Sequence, residues 1–169
     1  MIINVDRSFL EINSIKNLNR SKSPGSNFKI SEVNPPDFQL NKFFYKQIGK
    51  NHRWTDRLSW NDNMWVNYVS DKSVNTFVLM YNKNLAGYFE RIYNKQSNEF
   101  EIAYFGILYE YRNKKFGAYL LSKAIELSFK DGAKRVWVHT CTFDHKNAIK
   151  NYLSRGMKIF KEEKIKIPA

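Results

Sequence analysis

The pattern of apolar and polar positions predicts an ordered series of strands and helices from Phe28 onward. Alternating positions are typical of strands, and apolar spacings of three and four are typical of helices. Strands are predicted at Phe28–Val33, Val74–Tyr81, Leu85–Tyr93, Glu99–Leu108, Val136–Cys141 and Met157–Ile167. Helices are predicted at Phe38–Ile48, from a cap at Asn61 or Asp62 onward, at Phe116–Lys130 and from a cap at Asp144 onward.

Residues 1–27 carry a weaker pattern than the rest of the chain. Ser8–Ile12 fits a short edge strand, and Asn17–Asn27, rich in Ser, Asn, Pro and Gly, fits an exposed loop. The elements after Phe28 are continuous and separated by short turns. We therefore predict one α/β domain over residues 28–169, preceded by an N-terminal extension over residues 1–27.

Composition narrows the class of protein. The chain has 169 residues, of which 43% are hydrophobic, which suits one domain with a sizeable core. It lacks an apolar run of about 18 residues, and its start lacks the basic and apolar regions of a signal peptide. The single cysteine, Cys141, cannot form an intrachain disulfide. These features favour a cytoplasmic protein without a membrane partner.

The net charge of +12 suits anionic partners in general. Lys and Arg are nevertheless spread along the chain rather than gathered in one block, as on an ordinary solvated surface. This distribution disfavours nucleic acid as the main partner.

The segment from Phe100 to Ala118, FEIAYFGILYEYRNKKFGA, joins an apolar strand to a helix through a basic loop. Such a junction aims free backbone N–H groups and the positive end of a helix dipole at one point. It is therefore suited to a phosphate-bearing ligand.

Within that segment, residues Arg112–Ala118 resemble the R/Q-x-x-G-x-G/A loop of the GCN5-related N-acetyltransferases, with Lys115 where the family usually has its first glycine. Residues Ala148–Met157 resemble the family's A-i-x-x-Y-x-x-x-G-F/M segment. The predicted element order over residues 28–167 also follows the family. The resemblance thus covers most of the chain.

The resemblance implies a single-domain α/β fold with a mixed, mostly antiparallel sheet and helices on both faces. The sheet should splay between its fourth and fifth strands, here Glu99–Leu108 and Val136–Cys141. It also implies an enzyme that moves the acetyl group of acetyl-CoA to a primary amine. The amine, on a small molecule or a protein, would attack directly in a ternary complex.

By the same resemblance, the pyrophosphate of CoA lies on the loop before the long helix and the pantetheine arm lies along the fourth strand. His145 stands where many members have an asparagine that contacts CoA, and Asn147 is a second candidate for that contact. The expected cofactor-binding residues are Phe105, Ile107, Arg112, Asn113, Lys114, Lys115, Phe116, Gly117, Ala118, His145, Asn147 and Tyr152.

Acetyl transfer needs a base, because a lysine-like amine has a pKa of about 10.4 and is mostly protonated at neutral pH. Glu101 lies where members with a catalytic glutamate carry it, and strand alternation predicts that Glu101, Ala103, Phe105 and Ile107 share one face. Tyr152 matches the family's general acid, and the Ile107 N–H is the expected oxyanion donor. A solvated glutamate and a core tyrosine are the alternative interpretations.

The acceptor side is less defined. Residues Asn51–Trp60 follow the first helix, where the family builds its acceptor pocket, so Trp54, Asp56, Arg57 and the strand residue His139 are candidate acceptor contacts. His139 also fits a structural role. His139, Asp144 and His145 match no standard zinc spacing, so no metal is predicted. We interpret Cys141 as a small buried hydrophobe rather than a nucleophile.

Two other functions stay open. The chain fits a non-catalytic CoA-binding module, and it also fits an RNA- or ribosome-associated module that uses the +12 charge. A continuous surface of aromatic and basic residues would favour the second. The residues do not separate N-transfer from O-transfer, and they are compatible with a homodimer.

Overall fold

A computed structural model describes residues 1–168 of the chain. The strands are β1 (Ile2–Ile12), β2 (Phe28–Glu32), β3 (Val74–Tyr81), β4 (Asn84–Asn94), β5 (Glu99–Ile107), β6 (Arg135–Cys141) and β7 (Lys158–Pro168). The helices are α1 (Phe38–Gly49), α2 (Asp62–Ser70), α3 (Phe116–Lys130) and α4 (Ala148–Ser154). From β2 onward, the elements follow the predicted order. Across these residues, no helix combines the length and apolarity needed to span a bilayer.

The strands form one sheet of seven, in the order β2-β3-β4-β5-β6-β1-β7. Among the strands described, β5 and β6 form the parallel pair and the other neighbours run antiparallel. The β5–β6 pairing joins only Glu99–Glu101 to Arg135–Trp137, and the strands diverge beyond it. The predicted mixed sheet, splayed between the fourth and fifth strands of the domain, is confirmed.

Helices cover both faces of the sheet, as the sequence predicts. On one face, Phe44 and Ile48 of α1 pack against Val78 and Tyr88. On the other, the apolar stripe of α3 forms the larger core; its buried residues include Leu120, Leu121, Ala124 and Ile125. Burying one such large apolar side chain contributes about 1.5–3 kcal/mol. The strands β4 and β5 thus lie between the two cores.

The first strand differs from the prediction. β1 is 11 residues long and lies between β6 and β7, inside the sheet rather than at its edge. Val5, Leu10 and Ile12 are buried, but polar residues between them break the alternation that would have predicted this length. The chain after β1 packs closely on α4: a Cβ on Gly156 would lie 2.0 Å from the Asn17 carbonyl oxygen.

Candidate active site

A cavity of about 1050 Å³ occupies the opening between β5 and β6. Its wall combines residues of both strands with the start of α3, with α4, with the loop between α1 and α2, and with β1 and β7. The predicted cofactor, catalytic and acceptor residues lie on this wall, apart from Lys114, which lies outside it. The fold thus brings into one cavity residues that the sequence places far apart.

The loop before α3 forms one end of the cavity. The N–H groups in the first turn of any helix have no partner within the helix. In α3 no side chain caps them either, so they are available to a ligand. Asn113 and Lys115 both have left-handed backbones, with φ of 61° and 65°. A left-handed conformation costs a non-glycine residue roughly 1–2 kcal/mol, which explains why a glycine suits position 115. Helix dipole and loop lysines make this end electropositive.

Gly117, in the first turn of α3, faces α4. A Cβ at this position would lie 3.8 Å from the nearest atoms, which belong to Asn151 and Ile107, so the fold itself has room for a side chain. The Asn151 amide donates a hydrogen bond of 3.1 Å to the Gly117 carbonyl and fixes α4 against the start of α3. Asn151 lines the cavity but carries no sequence signal that distinguishes it.

The backbone of Ile107 faces the opening. The neighbouring Leu108 N–H donates to the Ala86 carbonyl of β4 at 2.8 Å. Because backbone groups alternate direction along a strand, the N–H and C=O of Ile107 point away from β4, toward the gap left by β6. Its carbonyl accepts from Arg112 Nε at 3.2 Å. The N–H is thus oriented as an oxyanion donor would need to be.

The prediction that Glu101, Ala103, Phe105 and Ile107 share one face of the strand is wrong. The β4–β5 register shifts by one residue, so that Glu101 pairs with Ile92 while Phe105 pairs with Phe89. This bulge, at Ala103, reverses the alternation within the strand. Glu101 therefore shares a face with Tyr104, and Phe105 and Ile107 point to the opposite face. The cavity connects the two faces because the sheet is open at this point.

The Glu101 carboxyl is half-buried on the α1 side of the sheet. Burial raises its pKa above the usual range, and the charge of Arg57 opposes the rise. A carboxyl group with a raised pKa is a stronger base once ionised. The position and the environment of Glu101 therefore suit proton abstraction near neutral pH.

Tyr152 lies on α4 and is buried against the larger core. Its ring centroid is 6.5 Å from that of Phe105. Burial, with a smaller effect of the Asp144 carboxylate, raises the pKa of its hydroxyl well above the usual range. The hydroxyl therefore keeps its proton at ordinary pH and is available as a donor on the cavity wall.

Arg57 was a candidate acceptor contact, but its charge is already balanced. Its Nη1 lies 2.9 Å from Glu90 Oε2, and both side chains are buried. Glu90 also accepts hydrogen bonds from Tyr68 at 2.8 Å and from Asn41 at 2.7 Å. Burial lowers the pKa of Arg57, but the Glu90 carboxylate, together with the Tyr68 and Tyr104 hydroxyls, outweighs that effect, so the pKa is raised. Arg57 thus shapes the wall beside Tyr104: the Arg57 Cζ atom lies 4.2 Å from the centroid of the Tyr104 ring.

The loop between α1 and α2 reaches across the cavity to the loop after β6. Trp54 Nε1 donates to Asp144 at 3.4 Å, and His52 Nδ1 lies 3.2 Å from the Phe143 carbonyl. Because that carbonyl only accepts, His52 carries its proton on Nδ1, and Nε2 accepts from Arg112 at 3.4 Å. Together these contacts enclose one side of the cavity. Asp56, also on this loop, accepts from Tyr104 at 3.4 Å.

The loop after β6 is organised by Asp144. Its Oδ2 accepts from Thr140 Oγ1 at 2.6 Å and from the Cys141 N–H at 3.0 Å. Asp144 therefore closes a turn. The prediction that it caps α4 is wrong, because α4 begins at Ala148, after Asn147. The N–H of Asn147 donates to His145 Nδ1 at 3.1 Å. Both residues lie on the cavity wall, where they were expected.

His139 and Cys141 follow one another on the same face of β6. His139 is exposed, yet partial desolvation and the nearby charge of Arg7 lower the pKa of its imidazole. Burial raises the pKa of the Cys141 thiol, which disfavours a thiolate nucleophile. Over residues 1–168, no three His, Cys, Asp or Glu side chains converge as metal ligands.

The cavity wall also contains residues that the sequence pattern did not indicate. Val5 and Arg7 of β1 and Ile165 and Ile167 of β7 line the cavity. No local signal marks them, because they reach the site through the pairing of strands that lie at opposite ends of the chain.

Comparisons with known proteins agree with this geometry. The family model described as "Acetyltransferase (GNAT) family" matches residues 37–157. A GCN5-related N-acetyltransferase from Sphaerobacter thermophilus superposes with a TM-score of 0.72 at 12% identity, over 96% of this chain and 50% of that chain. One from Kribbella flavida superposes with a TM-score of 0.66 at 15% identity, over 98% and 58%. The chain thus spans less than two thirds of either structure.

A third structure is an aminoglycoside acetyltransferase from an uncultured soil metagenomic sample, in complex with trehalose. It superposes with a TM-score of 0.65 at 12% identity, over 79% of this chain and 90% of that chain. No curated protein matches this chain in sequence. At these identities the likeness shows the fold alone, but the family model covers most of the residues that build the cavity. The chain therefore belongs to the GNAT acetyltransferase family.

Proposed function

We propose that the chain is an acetyl-CoA-dependent N-acetyltransferase that acts on a primary amine in a ternary complex. The observation that carries the proposal is the cavity at the sheet opening. It joins the uncapped, electropositive start of α3 to the half-buried carboxyl of Glu101 on the other face. A phosphate-binding end and a base on one wall are what transfer from a phosphate-bearing donor to an amine requires.

The residues at the opening fit CoA. The first turn of α3 offers free N–H groups, Gly117 leaves room beside them, and Ile107 presents backbone groups that can pair with an amide-containing arm. Asn147 and His145 lie on the wall beside this path. When bound, acetyl-CoA supplies an acyl thioester.

Three residues then divide the chemistry. Glu101 takes the proton from the amine, directly or through water, as the nitrogen bonds to the acyl carbon. The Ile107 N–H donates to the acyl oxygen as negative charge develops there. Tyr152, whose raised pKa keeps its hydroxyl protonated, gives its proton to the sulfur as the carbon–sulfur bond breaks.

The rival functions have less support. Phe9, Trp137 and Phe160 form an aromatic cluster, with Lys161 4.8 Å above Phe9, as an RNA-binding surface would require. However, Lys161 pairs with Glu163, and Arg135, which stacks on Phe160, pairs with Glu11 and Glu99. The cluster is therefore close to neutral, which does not favour RNA binding.

A cytoplasmic location of the protein is also part of the proposal.

Calorimetry with CoA tests the cofactor site. Wild-type protein should bind CoA more weakly as salt rises, since phosphate charges contribute. Gly117→Glu should abolish binding without unfolding the domain, because the cavity side of Gly117 is open while the new carboxylate would repel the pyrophosphate. Ser97→Glu adds the same charge in the exposed turn at the other end of β5 and should bind normally.

Thiol release from acetyl-CoA in the presence of a panel of amines then tests transfer. Wild-type protein that binds no CoA at millimolar concentration would reject the cofactor site. CoA binding without release for any amine would favour the non-catalytic module.

A further inference from the structure

Arg7 brings a positive charge from β1 to the acceptor side of the cavity. It lies opposite Cys141 on one side and Glu163 on the other, and therefore shares a face with His139 and Cys141. In a sheet, residues directly opposite one another point to the same face. Arg7 thus places a cation on the wall, and its backbone is held by strands on both sides.

The charge of Arg7 is only partly satisfied. Its Nη1 is 3.4 Å from Glu163 Oε1, a long contact, and the other oxygen of Glu163 lies 3.2 Å from Lys161 Nζ. One carboxylate thus serves two cations. The Nε of Arg7 is buried and has no hydrogen-bond partner among residues 1–168. A buried donor without a partner is costly, and an arginine can make several bonds at once to a carboxylate or phosphate.

The remaining carboxylates near this wall are already used. Asp144 accepts from Thr140, Cys141 and Trp54, and Asp56 accepts from Tyr104 on the wall formed by the α1–α2 loop. The other cavity residues of β1 and β7 are apolar: Val5, Ile165 and Ile167. The Arg7 side chain remains 32% exposed although its Nε is buried. An anionic group of a ligand would therefore bond to the outer N–H groups of the Arg7 guanidinium.

Strand geometry sets the length of such a ligand. Glu101 pairs with Trp137, and Arg7 pairs with Cys141 on the same strand. The path from Glu101 to Arg7 crosses two strand spacings, β5 to β6 and β6 to β1, and runs four residues along β6. These distances place the two Cα atoms roughly 16 Å apart. Both side chains point into the cavity and shorten the gap. A ligand that touches both has its charged ends separated by several bonds.

We infer that the acceptor is an elongated amine that carries an anionic group, a carboxylate or a phosphate, at the end away from the reacting nitrogen, and that Arg7 binds this group. The inference rests on the proposed acetyl transfer, because it assigns the reacting end to Glu101. Val5, Ile165 and Ile167 would contact the apolar spacer between the two ends.

The test uses matched amines on CoA-loaded protein: 6-aminohexanoate, 6-aminohexyl phosphate and the uncharged 6-aminohexanamide. Calorimetry should show that one of the anionic amines binds at least about tenfold more tightly than the amide, as expected for a charge-assisted hydrogen bond. Whether the carboxylate or the phosphate binds more tightly identifies the group. Equal binding of all three, or binding of none at millimolar concentration, would overturn the inference.

Substitutions with opposite expected effects isolate the role of Arg7. Arg7→Gln should remove the preference for the anionic amine, and Arg7→Lys should retain part of it. Glu163→Gln, which removes the competing carboxylate, should strengthen anionic binding. The inference would be overturned if Arg7→Gln is folded, binds CoA and still prefers the anionic amine to the amide. Weaker binding of the anionic amine by Glu163→Gln would also overturn it.

The same amines separate this inference from the proposed function. Arg7-dependent binding without thiol release would leave the anionic site standing and reject acetyl transfer. Thiol release with no preference among the amines would do the reverse.

Discussion

The two ends of the cavity are built in different ways. The proposed cofactor end is built on one continuous segment, from β5 through the loop to α3, and the proposal assigns its binding mainly to backbone groups. The proposed acceptor end is formed by side chains of β1, β5, β6, β7 and the α1–α2 loop. The charges at the acceptor end are mostly committed to partners within the protein.

This difference explains which end tolerates sequence change. A backbone cradle binds a constant ligand and accepts many side chains, provided that the turn can form. A pocket of side chains recognises one acceptor and changes with each substitution. We therefore expect substitutions at the acceptor end to have large effects on catalysis or stability, and those at the cofactor loop to have small ones unless they block the backbone.

The largest expected effect is that of Glu101→Gln. Loss of general base work typically lowers the rate about 10²- to 10⁴-fold. The acid limb of the pH profile should flatten, because wild-type activity falls as pH drops through the raised pKa of Glu101. Thiol-release kinetics between pH 5 and 9 measure both. Near-wild-type turnover would show that the amine loses its proton to water or to another group, and His139→Ala would then be the variant to measure.

The same variant should affect stability in the opposite direction. Because the folded-state pKa of Glu101 is raised, the unfolded chain releases this proton first as pH rises, so ionised Glu101 lowers the free energy of unfolding at neutral pH. Urea titration should find Glu101→Gln more stable than wild type at pH 7.5, and the two equal at pH 4. A difference that persists at pH 4 would point to packing rather than ionisation.

Glu90→Gln tests the scaffold of the acceptor end. It leaves the buried Arg57 guanidinium without its counter-charge, and breaking one partner of such a pair costs about 3–5 kcal/mol. Glu126→Gln is the matched control, since Glu126 pairs with Arg20 and Lys123 near the surface and should contribute at most about 1 kcal/mol. Equal urea midpoints for the two variants would mean that the Arg57–Glu90 pair does not stabilise this wall.

Tyr152→Phe tests the proposed general acid, which lies between the two ends of the cavity. Loss of the hydroxyl should lower the rate by about 10²-fold while the affinity for CoA changes little, because the ring still packs in the core. Tyr109→Phe, at a residue that is 73% exposed, is the control. A large loss of CoA affinity in Tyr152→Phe would instead assign the hydroxyl to ligand binding.

Lys115→Gly should have the smallest effect and sharpens the comparison most directly. Removing a side chain from a left-handed position should stabilise the fold by about 1 kcal/mol, after the entropy of glycine is counted. If the backbone holds the ligand, calorimetry should find a CoA affinity within about threefold of wild type at moderate salt. Lys115→Ala loses the same charge without relief of strain. Equal, large losses in both variants would show that the ammonium itself binds the phosphates.

The sequence predicted the elements that build the proposed cofactor end better than those that build the rest of the cavity wall, and the reason is physical. The strand, loop and helix from Glu99 to Lys130 are local, and their apolar periods and turn residues are visible in the chain. Even there, the bulge at Ala103 reversed the facing of Glu101, because a single extra residue leaves no mark in the composition. Arg7 could not be predicted, because its place depends on pairing with Cys141 and Glu163.

The position of β1 has a consequence for the order in which the molecule assembles. β2 to β5 are joined mainly to their neighbours in the chain, whereas Arg7 and Glu163 are 156 residues apart and meet across the β1–β7 ladder. Contacts of such long sequence separation form slowly, because loop closure precedes their gain in free energy. The half of the sheet that bears β1 should therefore close last, and the proposed acceptor wall should form only when the two distant ends of the chain have met.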